Sequence, residues 1–150
     1  MTLHRAFLLT VVSALVGISA SGLLACSASR GPLPPDAHLE ILQTERLVLH
    51  VTAAPHPESA SCASSTRDAS TQFLQLNEDT TGNFVLRPAA GVAVLHVEEL
   101  ATNRTWCVLT HGDGTGGTIA GDFPSGVYAI TVQASHSNAP TPYSVVVEKM

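Results

Sequence analysis

The chain has 150 residues, one domain's worth of sequence beyond a targeting segment. Its formal net charge is −5, from seven Lys+Arg against twelve Asp+Glu. With Arg46, Arg67, Arg87, Arg104 and Lys149 scattered singly, that balance excludes a nucleic-acid backbone as partner. Charged residues make up only 13% of the chain, and the Thr, Ser, Ala and Val that replace them favour strands over helices.

Residues 1–25 have the three parts of a signal peptide. His4 and Arg5 supply a basic start, residues 6–18 an apolar run, and Ser19 to Gly22 a small-residue stretch. Leu23-Leu24-Ala25-Cys26 follows directly and resembles the lipobox of bacterial lipoproteins. That resemblance implies alkylation of the Cys26 thiol with diacylglycerol and cleavage between Ala25 and Cys26. Ala25 is small enough to enter the peptidase site, and Leu23 is apolar enough to sit in the bilayer. Each buried CH₂ of an acyl chain contributes about 0.8 kcal/mol, so two or three chains make a stable anchor. Ser27 after the cysteine resembles the default for sorting to the outer membrane of a diderm bacterium. Two alternatives stand beside this reading. One is ordinary cleavage that leaves Cys26 a plain thiol. The other is retention of residues 6–25 as a transmembrane anchor, which Thr10, Ser13, Gly17, Ser19, Ser21 and Gly22 weigh against by diluting the apolar run.

Residues 26–38 read as a lipidated tether, because Pro32, Pro34 and Pro35 disfavour helix and strand alike. From Leu39 the pattern predicts a single domain over residues 39–150. Residues 39–47 are ambiguous between strand and a helical turn. Residues 45–52 alternate as a strand with Leu47, Leu49 and Val51 on one face and Val48 and His50 on the other. Pro55, Pro57 and the Ser-rich residues 58–65 predict a long loop. Further strands are expected over 71–76, 83–87, 92–97, 105–109, 118–123, 127–134 and 143–148. Turns are expected at 77–82, 88–91, Asn103, 111–117, 124–126 and 138–142. On strand 127–134, Tyr128, Ile130, Val132 and Ala134 share a face; on the last strand, Tyr143, Val145 and Val147 do. About seven or eight short antiparallel strands separated by turns predict an all-β sandwich, jelly-roll-like.

With Cys26 assigned to lipid, Cys62 and Cys107 remain as an even pair in an oxidising compartment, which predicts a disulfide; two buried free thiols are the alternative.

The seven histidines tempt a metal reading. His4 lies in the leader and His38 in the tether, His50 and His96 on strands, and His56, His111 and His136 in loops, with no pair at a ligand spacing. No metal or other cofactor is expected. The glycine-rich residues 111–117 lack the Lys-Ser/Thr of a phosphate loop and a following helix, so a mobile hairpin loop is the better account. Asp113 with Asp122 falls short of the oxygen-ligand set calcium takes. No Ser stands in G-x-S-x-G, and Ser125 belongs to a turn. Glu78-Asp79 and Glu98-Glu99 are adjacent pairs, which a strand would point to opposite faces. These patterns argue against an enzyme. Trp106, beside Cys107, is expected to pack in the core against the disulfide, and Phe73, Phe84, Phe123, Tyr128 and Tyr143 fall mostly on core positions.

Phe123-Pro-Ser-Gly-Val-Tyr-Ala-Ile-Thr-Val132 and Pro142-Tyr-Ser-Val-Val-Val147 resemble the closing strands of the pre-peptidase C-terminal domains of secreted bacterial proteins. Over residues 80–150 that resemblance implies a jelly-roll-like sandwich without catalytic residues, serving secretion or substrate binding. The reading is a membrane-anchored envelope lipoprotein acting as a non-catalytic binding module. Its partners are the membrane through lipid and another envelope protein or a polysaccharide. A structural scaffold lipoprotein is the alternative, and a small hydrolase a more distant one.

Overall fold

A computed structural model describes residues 33–56, 61–63, 67, 70–87, 91–110, 115–135 and 137–150, without the side chains of 54–56. The leader, Ala25, Cys26 and the first half of the tether lie outside the described residues, as do His111, Asp113, His136 and the side chain of His56.

The strands are β1 (Leu39–Ile41), β2 (Arg46–His56), β3 (Gln72–Leu76), β4 (Thr80–Arg87), β5 (Ala93–Glu99), β6 (Thr105–Leu109), β7 (Gly117–Phe123), β8 (Gly126–Ser135) and β9 (Thr141–Lys149). Antiparallel pairing joins β2 to β9, β3 to β8, β4 to β7 and β5 to β6. The chain from β2 onward is one long two-stranded ribbon closed by the β5–β6 turn. Folding that ribbon over sets β4 against β9 and β5 against β8. Two sheets result. Sheet B has the order β2-β9-β4-β7, and sheet A the order β3-β8-β5-β6 with β1 parallel to β3 at its edge. This is the strand order of a jelly-roll sandwich. β2 belongs to both sheets: Arg46 to Ala53 pair with β9, and residues 54–56 run parallel to β8.

The strand periods decide the core. β4 and β7 alternate between buried and exposed positions, as half-solvated strands do. Leu49, Val51, Phe84, Leu86, Val145 and Val147 of sheet B face Leu74, Leu95, Val97, Ile130 and Val132 of sheet A in one continuous core. At one end, Phe84 meets Phe123 edge-on at 4.8 Å between ring centroids, and Trp106 lies 5.2 Å from Phe123.

The structure departs from the sequence expectation in four places. The described residues hold nine strands, because residues 39–41 form β1; pairing with β3 and the bond from Leu42 N–H to the Gln75 carbonyl supply a ladder the local pattern does not announce. Pro55, expected to open a loop, is in β2, which runs to His56; it pairs with β8 at the strand end, where a missing N–H is tolerated. β4 begins at Thr80, inside the expected turn. Gly82 is not a turn glycine there: a Cβ on it would collide with the backbone carbonyl of Glu148 on β9. Finally, Trp106 packs on the aromatic end of the core, while Cys107, its neighbour on the strand, points to the opposite face of sheet A. The expected turn at Asn103 holds, with this residue at a positive φ of 57° and its N–H donated to the Glu99 carbonyl.

Candidate functional site

Sheet A has an outer face that is not solvated. Val94, His96, Glu98, Ala129, Thr131 and Gln133 are all buried although they point away from the core. The described residues between β2 and β3 are tied to this side of the sheet. Cys62 is bonded to Cys107 on β6, and the Arg67 guanidinium makes two bonds of 3.1 Å to the Glu98 carboxylate on β5. Thr71 and Thr131 of β8 share a hydroxyl hydrogen bond of 3.0 Å. The connection is therefore fastened in turn to β6, β5 and β8 before it enters the sheet as β3. The expected disulfide is present. Glu98 and Glu99 do point to opposite faces, but both are buried, Glu98 under this strap and Glu99 at the end of the core. The Glu98–Arg67 pair was not legible from spacing, since the two residues lie 31 positions apart in a loop and a strand.

His96 is enclosed beneath the strap, opposite Cys107 and Thr131 in the register. His50 is exposed on the outer face of sheet B, directly across from Ser144. Among the described residues no three of His, Cys, Asp and Glu come together as a metal-binding group. Asp122 is the described half of the calcium expectation. It stands on β7, where its Oδ1 accepts a 2.6 Å bond from the Thr81 hydroxyl.

The turns β3–β4, β5–β6 and β7–β8 meet at the aromatic end of the sandwich and enclose an open cleft of about 370 Å³. Asp79, Thr81, Asp122, Arg104, Phe123 and Pro124 line it. The geometry is set by its neighbours. Asp79 Oδ1 accepts from the Ser125 N–H at 2.8 Å, tying the first turn to the third. The Thr102 hydroxyl donates to Glu99 Oε2 at 2.7 Å within the second. Arg104 is laid over the Trp106 ring, 4.7 Å from its centroid, which directs the guanidinium along the cleft wall. Two carboxylates, a hydroxyl and a guanidinium on a partly apolar floor can accept from and donate to a polar ligand in several directions at once. Sequence reading considered Asp79 only with its neighbour Glu78 and Asp122 only with Asp113. Asp79 in the β3–β4 turn and Asp122 on β7 lie 43 positions apart in the sequence and come to one cleft only in the fold.

Beneath the cleft, the Tyr128 hydroxyl donates a 2.6 Å bond to the Pro124 carbonyl. Burial pushes the phenol up to about 12; Glu99 adds to the rise, Arg104 opposes it and Asp79 adds a little. The unfolded phenol ionises near 10 while the folded one keeps its proton. The stabilisation is therefore complete below pH 10 and is lost as pH climbs to about 12. At about 1.4 kcal/mol per unit, the loss is on the order of 2–3 kcal/mol. Tyr128→Phe is expected to cost about 1 kcal/mol at pH 7 for the lost hydrogen bond and to flatten most of the alkaline decline. The remainder comes from Tyr143, which burial also raises, and from Lys149, which its hydrogen bond to Glu78 raises. Urea midpoints between pH 8 and 12 check this; an undiminished decline in the Phe variant would show that Tyr128 is not its source.

Fold and cleft together define a jelly-roll sandwich with a polar cleft between three turns. No family model matches the chain, and no curated protein matches it.

Proposed function

We propose that this chain is an exported envelope lipoprotein whose jelly-roll domain binds a polyhydroxylated component, such as an envelope polysaccharide, without transforming it. The observation that carries the reading is the cleft lined by Asp79, Thr81, Arg104 and Asp122. Carboxylate oxygens accept from neighbouring sugar hydroxyls, the guanidinium donates to ring or carbonyl oxygens, and Pro124 offers an apolar edge to the sugar's C–H face. The leader ending in Leu23-Leu24-Ala25-Cys26 supports export and a lipid anchor on Cys26, and Ser27 supports the outer membrane as destination. The similarity of Phe123 to Val132 and Pro142 to Val147 to pre-peptidase C-terminal domains agrees with a binding rather than a catalytic role.

The test has two arms. Replacing Cys26 with Ser is expected to abolish acylation and to leave the precursor at its uncleaved size, still held by its leader; processing to the same size as the parent chain would refute the lipid anchor. Asp79→Asn with Asp122→Asn in the full chain is expected to weaken retention on purified envelope polysaccharide at least tenfold. Equal retention of the variant would remove the cleft as the binding site.

A scaffold role through a sheet edge is the second reading. It is favoured by Ile41 on β1 and Leu109 on β6, both exposed and both on the outermost strands of sheet A. Such edges offer backbone groups to an added strand. Crosslinks from these two strands to another envelope protein would support it over the cleft.

A further inference from the structure

Away from the turn-end cleft, the outer face of sheet B carries a row of three polar side chains across three adjacent strands. His50 on β2 stands opposite Ser144 on β9, and Ser144 stands opposite Arg87 on β4. Neighbouring strands lie about 4.8 Å apart, so the two longer side chains flank the short serine. The three line an open depression of about 300 Å³ together with Thr52 and Pro142. No carboxylate is among its lining residues within the described part of the chain.

Arg87 differs from the other cations of the described residues. Arg46 is paired with Glu148, Arg67 with Glu98 and Lys149 with Glu78, while Arg104 is stacked on Trp106. Arg87 is exposed and has no acidic partner or ring among the described residues. In a chain of net charge −5, an unspent guanidinium beside an imidazole and two hydroxyls makes a locally electropositive spot. Screening confines its field to about 8 Å at physiological salt, so it acts on a ligand that reaches it.

We infer that this depression is a phosphate-binding site, with Arg87 as the charged clamp and Ser144 and His50 as flanking hydrogen-bond groups. Arg presents a planar fork of donors suited to phosphate and carboxylate alike. The choice between them follows from the arrangement: donors arriving from three strands, one below and two from opposite sides, surround a tetrahedral anion better than a planar one. The volume is at the lower end of small-molecule pockets and suits a phosphate on a small group. A free phosphate monoester and the phosphodiester of a lipid headgroup share this chemistry. The site is independent of the polysaccharide cleft and of its residues.

The full chain, held in dodecyl maltoside micelles, which carry no phosphate, is titrated with inorganic phosphate, glycerol phosphate, glycerophosphoglycerol and, for comparison, chloride, with amide and Arg side-chain NMR signals as the readout. Saturable shifts at Ser144, His50 and Arg87 are expected for phosphate compounds and not for chloride. Arg87→Gln is expected to weaken them at least tenfold and Ser144→Ala severalfold, with the thermal midpoint unchanged because Arg87 is exposed. Tighter binding of the diester assigns a lipid headgroup as the source, and tighter binding of the monoester a free phosphate compound. Shifts that do not saturate, that chloride reproduces, or that Arg87→Gln leaves intact overturn the inference, whatever the outcome at Asp79 and Asp122.

Discussion

Replacing Cys62 and Cys107 together with Ser is expected to destabilise the domain by about 4 kcal/mol. The bond closes a loop with a sequence separation of 45, and in the chain-entropy treatment a loop of that length contributes roughly this much by restricting the unfolded ensemble. For a domain of this size the thermal midpoint should fall on the order of 10–20 °C. The loss has a local component as well. The bond fastens the strap to β6, so its removal is expected to raise hydrogen exchange first in β6, where it is tied, and in β5, whose outward residues are buried, and last in β4 and β9 of the opposite sheet. A drop smaller than about 1 kcal/mol with unchanged exchange in β5 would mean that the strap stays docked without its covalent tie.

The second large effect lies at Arg67 and Glu98. Only 16% of the Arg67 side chain and 3% of the Glu98 side chain are exposed. Arg67→Met is expected to cost about 3–5 kcal/mol, because it leaves a buried carboxylate without its counter-charge. Arg67→Met combined with Glu98→Leu should recover most of that loss, since a well-packed apolar pair can replace a buried ion pair at little cost. Chemical denaturation of the two single variants and the double variant forms the cycle. A double variant as unstable as the sum of the singles would mean that the two side chains act independently and that the strap is held elsewhere.

The second of these effects falls where the sequence was least legible. Strands of sheet B announce themselves: Leu47, Leu49 and Val51 alternate with Val48 and His50 because one face of β2 meets the core and the other meets water. In sheet A the same rule misleads. His96, Glu98, Thr131 and Gln133 alternate with core positions, yet they are buried, and Cys62, Arg67 and Thr71 from between β2 and β3 are fastened to that side of the sheet. Local periodicity records which residues point away from the core; it does not record what lies on top of them. The turn-end cleft is hidden for a similar reason. Asp79, Arg104 and Asp122 belong to three separate turns or strand ends, and each had an unremarkable local explanation. Only the folding of the ribbon brings those turns to one end.

What the sequence determined by itself is the all-β class, eight of the nine strands within a few residues, the turn at Asn103 and the Cys62–Cys107 pairing. Each of these follows from short-range information, the two-residue period of a strand, the conformational tolerance of Asn, or the count of cysteines. What the tertiary structure decided is the jelly-roll order of the strands, the burial of Glu98 beneath Arg67, and the gathering of His50, Ser144 and Arg87 into one row. Those depend on how a two-stranded ribbon folds over on itself. That choice is made by the total apolar area the two sheets can bury against each other, a property no single stretch of residues carries.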